Sequence, residues 1–195
     1  MPDTIEELIS GLDTSSDKTA ERRIAKLVKL GKPAVRKLMI AASDSSRPRV
    51  RKWSLQALGA MGDKAAAPLL IQALQDDRMT VRLHAIRGLA RMRHRPAAAA
   101  IRKLLSDPSG GIRVNAIDAL VELKDRSSGA AMIRSLVDEQ WYVRQHAAIA
   151  CGRLGIRASV SRLKQLLNQE SKKAVLNAVE EALLSLYKEH RTARG

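Results

Sequence analysis

Residues 76–92, DDRMTVRLHAIRGLARM, and residues 107–123, DPSGGIRVNAIDALVEL, share one pattern of apolar and polar positions. A Val-Arg or Ile-Arg pair in similar surroundings recurs at a constant spacing, at 50–51, 81–82, 112–113 and 143–144. Small and apolar residues follow each pair at equal offsets, so the chain is an internal repeat of period 31. Weaker copies at both ends raise the number of units to about six.

Within each unit the apolar residues are spaced three and four apart, as on one face of a helix. Gly31, Gly62 and Gly155 fall just after the last apolar residue, where a left-handed residue commonly ends a helix. Pro33 and Pro96 then stand near the start of the next helix. Each unit is therefore predicted to be a helical hairpin with a shorter first helix and a longer second helix.

The composition agrees with close-packed helices. The 195 residues are 45% hydrophobic, yet they include no Phe, two Trp and two Tyr, so the core must be aliphatic. A single hairpin cannot bury its apolar face, and stacking of neighbours is expected. We predict one all-α repeat domain over residues 1–195, with units at about 3–31, 32–62, 63–93, 94–124, 125–155 and 156–188 and a short basic tail.

Charge and cysteine content narrow the class of protein. The chain has 35 Lys and Arg against 20 Asp and Glu, a formal charge of +15, which excludes an acidic or charge-balanced protein. The one cysteine, Cys151, cannot form an internal disulfide. The first residues are acidic rather than basic, and no apolar run is long enough to span a bilayer. These features predict a soluble, cytoplasmic protein.

The pattern Asp-x-x-x-x-Val/Ile-Arg followed by a helix of small residues resembles the HEAT repeat, in particular the bacterial PBS-lyase HEAT-like repeat family. Residues 76–85, 107–116 and 138–147 carry it most clearly. The resemblance implies an α-solenoid, a right-handed superhelix whose second helices line the concave side. Related arrays serve as scaffolds, bilin lyase subunits, a hydroxylase and DNA glycosylases, so the fold alone does not name a function.

The resemblance also implies a ladder of ion pairs inside successive units. The expected pairs are Asp76 with Arg82, Asp107 with Arg113, and Asp138 with Arg144. The first, second and last units instead carry Thr14 with Ala20, Ser45 with Arg51, and Gln169 with Val175. We therefore expect weaker attachment at both ends of the array than in its middle.

No catalytic site, metal site or cofactor is predicted. His84 and His146 are two units apart, too far for one metal ion, and no histidine is followed by the Glu that di-iron HEAT hydroxylases use. His84, His94, His146 and His190 are expected at the surface. Cys151 occupies a position held by Leu in other units, which favours packing over reactivity. The chain is thus predicted not to be an enzyme.

The second helices carry mixed polar, charged and apolar residues away from the core, a surface that suits a protein partner. The predicted contacts are Arg22, Trp53, His84, Arg87, Arg91, His146 and Arg153. Trp53 is either an exposed anchor or is partly buried against a neighbouring hairpin. The leading hypothesis is a non-enzymatic scaffold that binds a protein on its concave second-helix face.

Two alternative functions are retained. Residues 18–52 contain twelve Lys or Arg and two acidic residues, whereas residues 1–17 contain five acidic and no basic residues. Such a basic block predicts a patch that could bind nucleic acid or another polyanion without sequence specificity, or could merely increase solubility. A bilin lyase-like subunit is the enzyme alternative, and it rests on repeat similarity alone. The oligomeric state is left open.

Overall fold

The computed structural model describes residues 3–44 and 46–192, with side chains to Lys188. In this part of the chain there are twelve α-helices and no β-strand. The helices are α1 (Ile5–Ser10), α2 (Asp17–Leu30), α3 (Lys32–Ser43), α4 (Pro48–Met61), α5 (Ala67–Ala73), α6 (Met79–Arg91), α7 (Ala98–Lys103), α8 (Gly110–Glu122), α9 (Gly129–Ser135), α10 (Trp141–Arg153), α11 (Val160–Gln169) and α12 (Lys173–Thr192). Single 3-10 turns precede α5, α7, α9 and α11. The predicted all-α repeat of helical hairpins is confirmed.

The chain folds as two compact units, residues 1–97 and residues 98–195. Unit 1 contains the hairpins α1–α2, α3–α4 and α5–α6, and unit 2 contains α7–α8, α9–α10 and α11–α12. In unit 1 the second helices α2, α4 and α6 pack side by side, and in unit 2 α8, α10 and α12 do the same. We call the outward surface of these second helices the second-helix face of each unit.

The core is built from equivalent aliphatic residues. Val50, Val81, Ile112 and Val143 all hold the same repeat position, and all are buried. Each such side chain contributes roughly 1.5–3 kcal/mol when it is removed from water. The next member of the series is Val175, which is buried one residue later than the period requires. The last hairpin therefore contains one extra residue before its second helix.

Successive second helices touch through their backbones. A Cβ atom built on Gly59 of α4 would lie 2.7 Å from the Cα of Gly88 in α6. In unit 2, a Cβ on Gly152 of α10 would lie 2.9 Å from the Cα of Ala182 in α12. Real Cβ atoms do not approach so closely, so small residues at these positions set the distance between the helices.

The turns after the first five second helices each have a residue with positive φ at the repeat period. Gly31, Gly62 and Gly155 have φ angles of 67°, 70° and 66°. At the equivalent places Arg93 and Lys124 have φ angles of 50° and 55° although each has a Cβ. A left-handed conformation costs an L-residue roughly 1–2 kcal/mol, so these two turns are strained where the others are not.

The substitution Lys124→Gly is expected to stabilise the protein by about 1 kcal/mol, because it removes the left-handed strain at a small entropic cost. Urea denaturation followed by circular dichroism measures the change. The control Lys103→Gly, in helix α7, should destabilise by about 1 kcal/mol. Equal losses in both variants would contradict the explanation.

We call Arg51, Arg82, Arg113 and Arg144, which share one repeat position, the ladder arginines. Three of them bind a carboxylate of the next hairpin rather than one of their own hairpin, namely Arg51, Arg113 and Arg144. Arg113 Nη2 lies 2.8 Å from Asp138 Oδ1, and Arg144 Nη2 lies 2.7 Å from Glu170 Oε2. Arg51 forms the same kind of ion pair with Asp76. The predicted pairs Asp107 with Arg113 and Asp138 with Arg144, each within one hairpin, are therefore wrong for the carboxylates.

Three arginines of the ladder donate instead to backbone carbonyls of their own hairpins, namely Arg82, Arg113 and Arg144. Arg113 Nη1 donates to the carbonyl of Asp107 at 2.8 Å, and Arg144 Nη1 to that of Asp138 at 2.7 Å. The carboxylate oxygen Oδ1 of Asp138 accepts both the backbone N–H of Gln140 and the Arg113 guanidinium. One guanidinium thus links two consecutive turns, a geometry that its fork of donors favours.

The expectation of weak attachment at both ends needs correction at the last hairpin. Glu170 supplies the carboxylate that binds Arg144, so the ladder reaches this hairpin. By the repeat period the acidic position of this hairpin falls on Gln169, and Glu170 is one residue later. Val175 in the core of the same hairpin is displaced by one residue as well. In the first hairpin Ala20 holds the arginine position and is buried, so this hairpin offers no guanidinium to the second. Ser45 lies outside the described residues.

Replacing Arg113 with Ala is expected to destabilise the protein by roughly 2–3 kcal/mol, because Asp138 and the Asp107 carbonyl lose a mostly buried charged donor. The matched control is Lys26→Ala, which breaks an exposed pair with Asp3 and should leave the stability nearly unchanged. Chemical denaturation of both variants tests the difference. Similar losses would show that the ladder is no more than a surface contact.

Candidate functional site on the second-helix face

The face of unit 1 has a cleft between α4 and α6, which we call the basic cleft. Its volume is about 210 Å³. The lining residues are Gln56, Gly59 and Ala60 from α4 and His84, Arg87, Gly88 and Arg91 from α6. Three of the predicted contacts, His84, Arg87 and Arg91, are thus brought together, and both arginines are exposed. The two glycines lie where the helices touch, and their missing side chains keep the cleft open.

Trp53 supports this cleft and is not an exposed anchor. Its side chain is only 4% exposed. The indole ring lies 6.1 Å from the imidazole of His84, centroid to centroid, and Lys52 Nζ lies 3.6 Å from the Trp53 centroid. A cation over an indole at this distance is an attractive contact. The alternative in which Trp53 packs against the neighbouring hairpin is therefore correct, and its role as an exposed contact is wrong.

His84 is half-buried rather than a surface residue, contrary to the prediction. Burial, together with the charges of Lys52 and Arg87, lowers the pKa of His84 to about 4. The imidazole is consequently neutral at physiological pH, with one N–H donor and one acceptor nitrogen. His94 is also half-buried. The side chain of His190 lies outside the described residues.

In unit 2, His146 occupies the repeat position of His84 but has an acidic neighbour. His146 Nδ1 lies 2.8 Å from Asp118 Oδ1, across the contact between α10 and α8. The hydrogen bond with Asp118 raises the pKa of His146, although burial and the charge of Arg153 act against it. Asp118 lies two periods after Gln56, so the two units carry different side chains at the same pair of repeat positions.

Of the other two predicted contacts, Arg22 lies apart from these histidine pairs and Arg153 is close enough for its charge to act on His146. Arg22, on α2, is exposed and lines a separate pocket near Asp3 and Glu7. Arg153 is exposed at the last residue of α10. The seven predicted residues therefore form no single site.

The two second-helix faces differ in charge. Helices α4 and α6 contain no Asp or Glu, whereas α4 carries Arg49, Arg51 and Lys52 and α6 carries Arg82, Arg87 and Arg91. In unit 2, α8 carries Asp118 and Glu122, and α12 carries Glu180 and Glu181. The face of unit 1 is thus cationic around the cleft, and that of unit 2 is mixed.

Part of the basic block in residues 18–52 is neutralised by the acidic start of the chain. The ion pairs are Lys26 with Asp3, Lys37 with Glu6, Arg49 with Asp13 and Lys52 with Asp17. These contacts place carboxylates beside four of the twelve cations. The polyanion patch expected from the sequence is accordingly weaker than its count of basic residues implies.

The one cysteine is buried and unreactive. Burial raises the pKa of the Cys151 thiol to about 11, so the nucleophilic thiolate is scarcely populated at neutral pH. No group of three or more His, Cys, Asp or Glu that could hold a metal ion occurs among the described residues. In the same part of the chain, no helix is both apolar enough and long enough to cross a membrane.

The residues that shape the cleft are not among the seven contacts predicted from the sequence. Gln56 was not a predicted contact, although its alignment with Asp118 is visible in the repeat. Gly59 and Gly88 interrupt an otherwise bulky pattern, which is a signal of close helix approach. Trp141, at the start of α10, is the more exposed tryptophan at 40%.

Asp118→Asn is expected to lower the pKa of His146, because the carboxylate that stabilises the imidazolium is lost. Since that pKa is raised by folding, the pair stabilises below the unfolded pKa and its contribution disappears as pH rises through the folded pKa. A histidine NMR titration measures the shift, with His84 as the internal control. An unchanged His146 titration would refute the pair.

Comparison with solved structures places the fold among helical repeat proteins. A designed armadillo repeat protein in complex with the peptide (KR)4 is similar with a TM-score of 0.67 and 15% identity, over 94% of this chain and 100% of that chain. An archaeal HEAT-like repeats protein from Thermococcus onnurineus NA1 gives 0.62 and 18%, over 96% and 82%. At these identities the similarity concerns the fold alone.

A weaker similarity is found to the complex of CpcE and CpcF of phycocyanin lyase from Nostoc sp. PCC7120, with a TM-score of 0.47 and 20% identity over 95% of this chain and 96% of that chain. That score is too low to support the lyase alternative. No curated protein sequence matches the chain. The family model for HEAT repeats matches residues 5–80, 70–140 and 112–184. With its constant repeat period, its stacked hairpins and these three matches, the chain belongs to the HEAT-repeat family.

Proposed function

We propose that the protein is a non-enzymatic interaction scaffold that binds a protein segment on its second-helix face. The observation that carries the proposal is the basic cleft of unit 1. It is open to solvent, its edge bears the exposed Arg87 and Arg91, and its walls are two helices held in contact by Gly59 and Gly88. Arginine on a preformed surface is a frequent anchor for a protein partner.

The fold class supports this function. A designed armadillo repeat protein of similar fold was solved with the peptide (KR)4. That peptide is basic, whereas helices α4 and α6 of this chain contain no acidic residue. A segment bound here would need the opposite charge, and the specificity of the scaffold would follow from that difference.

The alternatives have less support. For nucleic acid, four cations of the basic block are paired with the acidic start of the chain. Base-stacking aromatics are also scarce, and Trp53 is buried. For a bilin lyase-like activity, the buried Cys151 has a pKa of about 11 and is a poor nucleophile.

Peptide display against the purified protein tests the proposal. We expect enrichment of peptides whose affinity falls roughly tenfold or more in the double variant Arg87→Glu, Arg91→Glu, since two anchoring charges are reversed. Circular dichroism should show unchanged helix content, because both side chains are exposed.

The matched control reverses two exposed charges elsewhere in unit 1, Arg36→Glu and Lys64→Glu, outside the second helices. This variant has the same net charge as the test variant and should keep its affinity for the enriched peptides. If no peptide is enriched, or if both variants lose affinity alike, the second-helix face is not the binding surface.

A further inference from the structure

The two histidines at one repeat position have different neighbours. In unit 2, His146 faces the carboxylate of Asp118. In unit 1, His84 lines the basic cleft together with Gln56, which occupies the position of Asp118. The repeat position beside the histidine therefore holds a carboxylate in unit 2 and an amide in unit 1.

The groups around that place in unit 1 are donors. The Gln56 amide, the neutral His84 imidazole and the guanidinium of Arg91 all carry N–H groups, and each lines the cleft. A carboxylate accepts hydrogen bonds at both oxygens and forms its strongest ones with arginine. Lys52, stacked on Trp53 beside the cleft, is paired with Asp17, whose charge also acts on His84.

One polar atom of the cleft is also unsatisfied. Within the described residues, the Oε1 atom of Gln56 is buried and has no hydrogen-bond partner. A buried acceptor without a donor is unfavourable, so this atom contributes nothing to the stability of the free protein. A bound segment can offer a donor to this atom from its backbone N–H while its side chain meets the arginine.

The size of the cleft restricts the ligand. A volume of about 210 Å³ between two touching helices admits a side chain and the backbone beside it, not a folded domain. With no acidic residue on α4 or α6, the electrostatic complement of the cleft is a negatively charged side chain.

We infer that the basic cleft binds the side-chain carboxylate of an Asp or Glu in an acidic segment of the partner, which takes the place that Asp118 occupies in unit 2. The inference rests on the proposed function and specifies its partner. Arg91 binds the carboxylate, and Gln56 and His84 position it.

The substitution Gln56→Glu tests the inference, because it builds the missing carboxylate into the cleft without changing the size of the side chain. The probe is a short peptide of alternating Glu and Ala with blocked ends, and its Gln counterpart is the control ligand. In a Trp141→Phe background, Trp53 is the remaining tryptophan and reports binding by its fluorescence.

The Glu peptide is expected to bind saturably and the Gln peptide at least roughly tenfold more weakly. Gln56→Glu should reduce the affinity for the Glu peptide by a similar factor, and its His84 should titrate at a higher pH by NMR. Asp118→Asn, the matched change in unit 2, should leave the affinity unaltered. Arg91→Gln, at an exposed position, provides a second variant that should weaken binding without affecting folding.

Several results would overturn the inference. These are equal binding of the two peptides, undiminished binding by Gln56→Glu, or tighter binding of a single-stranded oligonucleotide of equal charge that survives Gln56→Glu. If display selects uncharged or basic peptides that still require Arg87 and Arg91, the scaffold function stands and the carboxylate specificity fails. If no peptide of any kind binds, the scaffold function itself fails.

Discussion

Backbone contact between consecutive second helices is the constraint on which the site depends. In unit 1, Gly59 and Gly88 bring α4 and α6 so close that the flanking side chains must meet across the junction. Gln56 and His84 therefore share a cleft, and their counterparts Asp118 and His146 form a hydrogen bond. In α8 and α10 the positions of the two glycines are held by Val121 and Ala150, and the equivalent pair of outward residues still meets there, so substitutions at these positions change the chemistry of the junction.

The aliphatic core allows the outward residues to vary while the fold is kept. Because the interior is filled by Val, Leu, Ile and Ala at equivalent positions, the outward positions of the second helices are free to vary. The charge of each face is then a local property. Unit 1 has cations around its cleft, while unit 2 satisfies one of its histidines with its own Asp118. Under the proposed function, recognition is encoded in these few positions rather than in the fold.

The sequence was sufficient for the fold and insufficient for the site. The repeat period and the apolar spacing predicted the hairpins and the buried series from Val50 to Val143. This succeeded because the residues on the buried face of a helix must be apolar, so their spacing shows which face is buried. The ladder could not be assigned in the same way, since Arg113 binds a carboxylate one repeat later and two carbonyl groups that have no sequence signature. The burial of Trp53 also depends on a neighbour, His84, that packs on it from the next hairpin.

The asymmetric reach of the ladder arginines has an evolutionary consequence. Toward its own turn Arg113 recognises a backbone carbonyl, which every amino acid supplies, and only toward the following turn does it require an acid. A hairpin can thus be duplicated, deleted or exchanged provided that its successor begins with Asp or Glu. The shifted Glu170 demonstrates that even an insertion is tolerated when this requirement is met. Such interchangeable modules explain how an array could lengthen by copying a single gene segment.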